Sequence, residues 1–269
     1  NRINGVDTKM VAPEEVKEIV PIININGPRF PVLGALWQPR GGTARHDAVA
    51  WGYARRCSDY GIDIIEQCEV VGVKKKREKI VGVETIKGQM KAKKVCFVAA
   101  GHSSVLADLA GFRLPIESVA LQALVSEPIK PIIDCVVMAN TVHGYLSQSD
   151  KGELVIGGGA DGYNNYSQRG SFLHIEETVR ALVETFPVIS RLRQLRQWGG
   201  IVDMTGDRSP IISKTPIEGL YINCGWGTGG FKAIPGSGWA TAEMIYHEQP
   251  GNLASPFSMD RFAEGRLID

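Results

Sequence analysis

Apolar positions along the chain alternate between a helical and a strand-like period. Pro13-Glu14-Glu15-Val16-Lys17-Glu18-Ile19-Val20 has a proline in its first turn and acids early, which predicts a short helix. A loop follows through Gly27-Pro28 to Gln38-Pro39-Arg40-Gly41-Gly42. From Asp47 onward Ala48, Trp51, Ala54 and Arg55 fall at helical spacing, with Gly61 as the expected C-cap. Ile62 to Glu66, Cys68 to Val73 and Ile80 to Ile86 alternate or run apolar, as strands do. The charged run from Lys74 to Lys79 fits the solvated tip of a hairpin. Val95 to Gly101 has the form of a short buried parallel strand ending on glycine.

The middle third changes character. Ala120 to Val125, Val136 to Ala139, Gly144 to Gln148 and Glu153 to Gly157 are strand-like pieces divided by Pro, Asp and Gly, and they predict a larger antiparallel sheet. Ser171 to Phe186 is expected to be a helix with Ile175, Val179, Leu182 and Val183 on one face. Leu220 to Cys224 follows as a strand, then a glycine-rich stretch, then a helix holding Ala240, Ala242, Met244 and Ile245. The pattern predicts an α/β (α+β) protein whose two domains interleave along the chain. Residues 1–118 and 200–269 are expected to form one, with an insertion at about 10–60, and residues 119–199 the antiparallel-sheet domain.

Composition narrows the function classes. A net charge of +1 gives no basic field for nucleic acid or an anionic membrane surface. No apolar run approaches the roughly 20 residues that span a bilayer. The N-terminus lacks signal-peptide character and an initiator Met, and reads like the middle of a domain. Five cysteines, none in a C-x-x-C pair, fit free thiols in a reducing cytoplasm better than a disulfide framework or zinc site. His102, His143, His174 and His247 have no metal-ligand spacing, so no metal is expected.

Chemistry concentrates in two stretches. From Gly225 to Gly238 a strand ends, glycines allow close backbone approach, and a helix begins with exposed N–H groups. That arrangement suits a phosphate or an electron-rich ring, and a plain glycine-rich turn is the alternative. Neither the P-loop spacing nor G-x-G-x-x-G is present. Lys232 follows the glycines and would fix a carboxylate as a point charge, or simply lie in solvent. In the second stretch, Arg40-Gly-Gly-Thr-Ala-Arg45-His46-Asp47, the histidine has three readings: helix cap, anion ligand with Arg40 and Arg45, or carrier of a covalent adduct.

These stretches carry a resemblance. Gln38 to Asp47 with Trp51-Gly-Tyr-Ala-Arg55, and Gly225 to Lys232 with Pro235-Gly-Ser-Gly238, resemble the beta subunits of heterotetrameric sarcosine oxidases, within the wider D-amino-acid-oxidase-like group of FAD enzymes. The resemblance covers the whole chain. It implies non-covalent FAD in a Rossmann-like domain, and FMN attached covalently through His46 with Arg40 and Arg45 near its phosphate. It places Gly227, Gly230 and Lys232 against FAD and substrate, with Lys232 pairing the substrate carboxylate in the catalytic centre. Val70 would contact the adenine through its backbone, and Gly101 would lie near the pyrophosphate. The implied substrate is sarcosine, oxidised with electron flow from FAD to FMN to oxygen. The products are glycine, hydrogen peroxide, and formaldehyde or methylene-tetrahydrofolate. Other subunits of a hetero-oligomer are the implied partners, and the cytoplasm the implied location.

The chain departs from the pattern in one respect. The family opens with a Gly-rich βαβ unit for the FAD diphosphate, which is absent from these residues together with a substrate-binding arginine. The chain is therefore expected to be a fragment, inactive alone. A glycine oxidase or dimethylglycine dehydrogenase relative, and a non-catalytic scaffold subunit, are the competing readings.

Overall fold

The computed structural model describes residues 1–268. In chain order the elements are Lys9–Val11 (β1), Pro13–Ile19 (α1), Ala35–Trp37 (β2), His46–Asp59 (α2), Val70–Lys76 (β3), Lys79–Thr85 (β4), Gly88–Lys91 (β5) and Val95–Phe97 (β6). Ser103–Ala110 (α3), Ile116–Pro128 (β7), Val137–Ala139 (β8), Gly144–Gln148 (β9), Glu153–Ala160 (β10) and Phe172–Thr185 (α4) form the middle. Gln194–Thr205 (β11), Ile211–Lys214 (β12), Leu220–Cys224 (β13), Gly230–His247 (α5) and Asp260–Ala263 (α6) complete the chain.

The chain divides into two compact units. The first comprises residues 1–64, 121–161 and 167–200. Its antiparallel sheet has the order β11-β7-β10-β9-β8. Leu124, Ile156 and Leu146 line up across three of its strands and point to one face. Ile175 and Leu182 of α4 and Val16 of α1 close over that face to make the core. Ser171 caps α4, its side chain accepting from the His174 N–H. Here the expected helix and the strands β9 and β10 appear where their periods placed them.

The second unit holds residues 65–120, 162–166 and 201–269. A three-stranded meander, β3-β4-β5, stands beside a sheet of order β12-β13-β6. β13 runs parallel to β6 and antiparallel to β12. All five residues of β13 are buried. Ile222 and Leu220 pack with Ala107 and Ala110 of α3, while Tyr221 packs with Ala240 and Met244 of α5. Burial on both faces explains why its residues other than Asn223 are hydrophobic.

Several expectations change. Ile62 to Glu66 forms no strand; Ile62, Ile64 and Ile65 are 54%, 53% and 51% exposed. The strand at Val95 stops at Phe97, and Ala100 turns the backbone into the left-handed region before a 3-10 turn. The helix after the glycine stretch, α5, starts at Gly230, well before Gly238, and carries Pro235 inside it. Residues 1–64 group with the antiparallel sheet, not with residues 65–118. α2 forms as expected and ends on Gly61 at φ 71°, with Gly61 N–H to Ser58 and Ile62 N–H to Cys57, the paired closure of a Schellman motif. None of its residues is buried, and Trp51 is 68% exposed.

Candidate functional site

The second unit brings two of the sequence-predicted stretches to the same end of a parallel strand pair. Ile222 registers with Phe97, so the loops after β13 and β6 both leave from the carboxyl edge. Ligands bind at that edge in open parallel sheets. Gly225 and Gly227 turn the chain there with φ of 74° and 50°. A side chain at either position would be strained in this left-handed region.

Asp203 on β11 fixes the turn. Its buried carboxylate accepts from the Gly225 N–H at 2.5 Å, and its carbonyl accepts from the Gly227 N–H at 2.9 Å. Trp226 donates its indole N–H to Asn223 at 2.6 Å, and Asn223 donates to Thr241 of α5 at 2.8 Å. Thr241 in turn donates to the Ser237 carbonyl at 2.7 Å. A relay of side chains thus ties strand, loop and helix together. Asp203, Asn223 and Thr241 were absent from the sequence reading.

α5 begins at Gly230 directly behind this loop. Its N-cap, Gly229, supplies no side-chain cap. The first N–H groups of a helix lack intrahelical partners and carry the positive end of its dipole. A β-carbon at Gly230 would stand 3.0 Å from the Trp226 side chain, so glycine allows the indole to pack under the helix start. Lys232 is exposed, and its Nζ folds back over Gly229, 3.6 Å from where a β-carbon would stand. No carboxylate pairs with Lys232 among the described residues.

Gly101 is buried, and a β-carbon there would lie 2.3 Å from Ile201. Its carbonyl accepts from the Ser118 hydroxyl at 2.6 Å. Packing alone therefore requires glycine at this position. Val70 opens β3 opposite Thr85, at the end of the hairpin away from its turn.

The remaining predicted residues lie in the first unit. His46 is the first residue of α2 and is exposed; Arg45 holds the N-cap position without a side-chain cap bond. The capping reading of His46 thus finds no bond to support it. Arg45 pairs with Asp47 at 3.1 Å and lies 3.9 Å from Asp150, while Arg40 pairs with Asp7 at 3.5 Å. Asp47 also accepts from the Ala48 N–H. Its carboxyl is held below the ordinary range, first by the Arg45 hydrogen bond.

Comparison with known proteins decides the family. The profile described as FAD dependent oxidoreductase matches residues 1–244. The chain belongs to the FAD-dependent oxidoreductase family. Within that family it is 67% identical over 269 residues to the sarcosine oxidase subunit beta of Rhodobacter capsulatus, covering 100% of this chain and 65% of that protein. It is 56% identical over 270 residues to the Arthrobacter subunit beta, covering 100% of this chain and 67% of that one. The chain thus spans about two thirds of the length of these two relatives. Among solved structures, L-proline dehydrogenase from P. horikoshii superposes with a TM-score of 0.92 at 29% identity, covering 99% of this chain and 72% of that one.

The glycine turn fits the family's flavin in three respects. Gly225 and Gly227 present bare backbone, the uncapped α5 terminus presents N–H donors, and Lys232 presents a cation. No helix is long and apolar enough to cross a membrane among the described residues.

Proposed function

We propose that this chain is part of an enzyme that oxidises sarcosine at its N-methyl group with FAD. The identity of 67% over the whole chain to a sarcosine oxidase subunit beta carries this reading. When bound, FAD and FMN would supply the redox chemistry, the amine being oxidised and oxygen reduced. Sarcosine, oxygen and water then give glycine, formaldehyde and hydrogen peroxide. Transfer of the one-carbon unit to tetrahydrofolate replaces formaldehyde release where that carrier is present.

The residues of this chain bind, orient and polarise. The Lys232 ammonium holds the substrate carboxylate, which aims the methyl group at the flavin ring. The α5 N-terminus favours negative charge gathering on an adjacent ring. Asp203 keeps the loop in shape through Gly225 and Gly227 without touching substrate. Gly227 and Gly230 let the flavin approach the backbone, while Val70 and Gly101 line the adenine and pyrophosphate. In the other unit His46 would hold FMN covalently, with Arg40 and Arg45 as the cations for its phosphate. The partners are the remaining subunits of a hetero-oligomer, in the reducing cytoplasm that suits five free cysteines.

Full-length protein assembled with those subunits is expected to release formaldehyde and peroxide in equal amounts from sarcosine. The 269-residue chain alone is expected to release neither. Turnover of glycine in place of sarcosine would favour the glycine oxidase reading, and absence of flavin and products would favour a scaffold subunit.

A further inference from the structure

The second unit contains a cleft of about 1000 Å³ at the opposite end of β6 and β13 from the glycine loop. Gly219 lines it and Gly225 opens the loop, six residues or roughly 20 Å away at strand rise. The cleft is therefore separate from the flavin region. Its rim carries Lys79, Lys91, Lys93, Lys94 and Lys214 against Glu218 and Glu248.

Two of the lysines are committed to carboxylates. Lys79 pairs with Glu218 at 2.6 Å, and Lys94 pairs with Glu248 at 2.7 Å. Lys91, Lys93 and Lys214 make no direct ion pair with a carboxylate among the described residues. The chain as a whole carries only +1, yet this one concavity is lined by five lysines against two glutamates, and Lys94 first, with help from Lys214, holds the Glu248 carboxyl below its ordinary range. Its walls are stitched by backbone bonds, Ile80 N–H to Glu218, Glu218 N–H to Glu78 and Val95 N–H to Gly219. Buried Ile80, Ile217 and Tyr221 supply an apolar floor. Glu248 sits at the α5 C-cap with φ 59°, a conformation that non-glycine residues adopt rarely and at some cost.

We propose that this cleft binds a small molecule carrying a chain of at least two anionic groups. The volume is that of a small-molecule site. Ammonium groups act as non-directional point charges, which suits successive phosphates or carboxylates along a chain. The apolar floor takes the uncharged part of such a ligand. The same chemistry is offered by a phosphate chain and by a polycarboxylate chain, so the test uses both.

The test is equilibrium dialysis of the full-length protein, its flavin site filled, against tripolyphosphate, triglutamate and inorganic phosphate. At least one of the first two is expected to bind ten times more tightly than inorganic phosphate, and more weakly in high salt. Whichever binds identifies the source, phosphoryl or carboxylate. The variant K91Q/K93Q/K214Q is expected to lose at least tenfold in that affinity with flavin content and melting temperature unchanged. The variant K91R/K93R/K214R is expected to keep it. Failure of both chains to bind, or equal binding by the glutamine variant, overturns the proposal.

Discussion

Lys232 is an exposed ammonium beside a bare glycine turn, and in solvent alone it would contribute nothing specific. Its value depends on a carboxylate arriving from outside. A charge-assisted hydrogen bond contributes about 1.5–3 kcal/mol. Lys232→Met in the full complex is therefore expected to weaken apparent sarcosine affinity by roughly tenfold to a hundredfold, with flavin content unchanged. Loss of flavin with unaltered substrate affinity would make Lys232 a cofactor residue instead. Lys232 was legible in the sequence because it directly follows the glycines. Asp203 was not, because it is a single acid separated by 22 residues from the turn it fixes. Only the folded arrangement of β11 and β13 reveals that bond.

At the scale of elements, β9 and α4 were legible because apolar positions recur at their period, and β13 because it is short, mostly apolar and buried throughout. β11 was not: it reads Gln-Leu-Arg-Gln-Trp-Gly-Gly at its start, mostly exposed and interrupted by glycines. The early start of α5 was hidden by Gly230, Gly236 and Pro235, residues that disfavour helices. α2 was legible as a helix, yet its exposure was not, since its apolar spacing is that of a packed helix. Its first residue is where the covalent FMN reading meets its test. Asn keeps a polar side chain at this first helical position but cannot form a bond to flavin. His46→Asn is expected to abolish acid-stable flavin in the complex while FAD remains. Mass spectrometry of the peptide containing His46 checks this directly. An unmodified peptide in wild-type complex, with FMN held on another subunit, would remove His46 from the site.

The second unit contains a buried ion pair, between Arg261 and Asp207. Arg261 donates to both oxygens of Asp207 at 2.7 and 2.9 Å, and the two side chains are 2% and 1% exposed. Asp207 also accepts from the Ser209 and Ile268 N–H groups. Removing one partner leaves a buried charge uncompensated, so Arg261→Ala is expected to cost about 3–5 kcal/mol in urea unfolding. The Arg261 hydrogen bond holds the Asp207 carboxyl far below the ordinary carboxylate range. A depressed folded pKa means this stability is present above the unfolded value, about 3.9, and is lost as pH falls below it. Asp207→Asn is accordingly expected to be less stable at neutral pH and to show a shallower loss of stability below about pH 4. An unchanged acid slope would show that the pair contributes no linked protonation. Anaerobic mixing of the full-length flavin-loaded complex with sarcosine reads the proposed oxidation at the flavin itself. Sarcosine is expected to bleach the visible band of the oxidised flavin, and Lys232→Met to shift the concentration required upward. A flavin band untouched by saturating sarcosine in the intact complex would contradict the proposed oxidation.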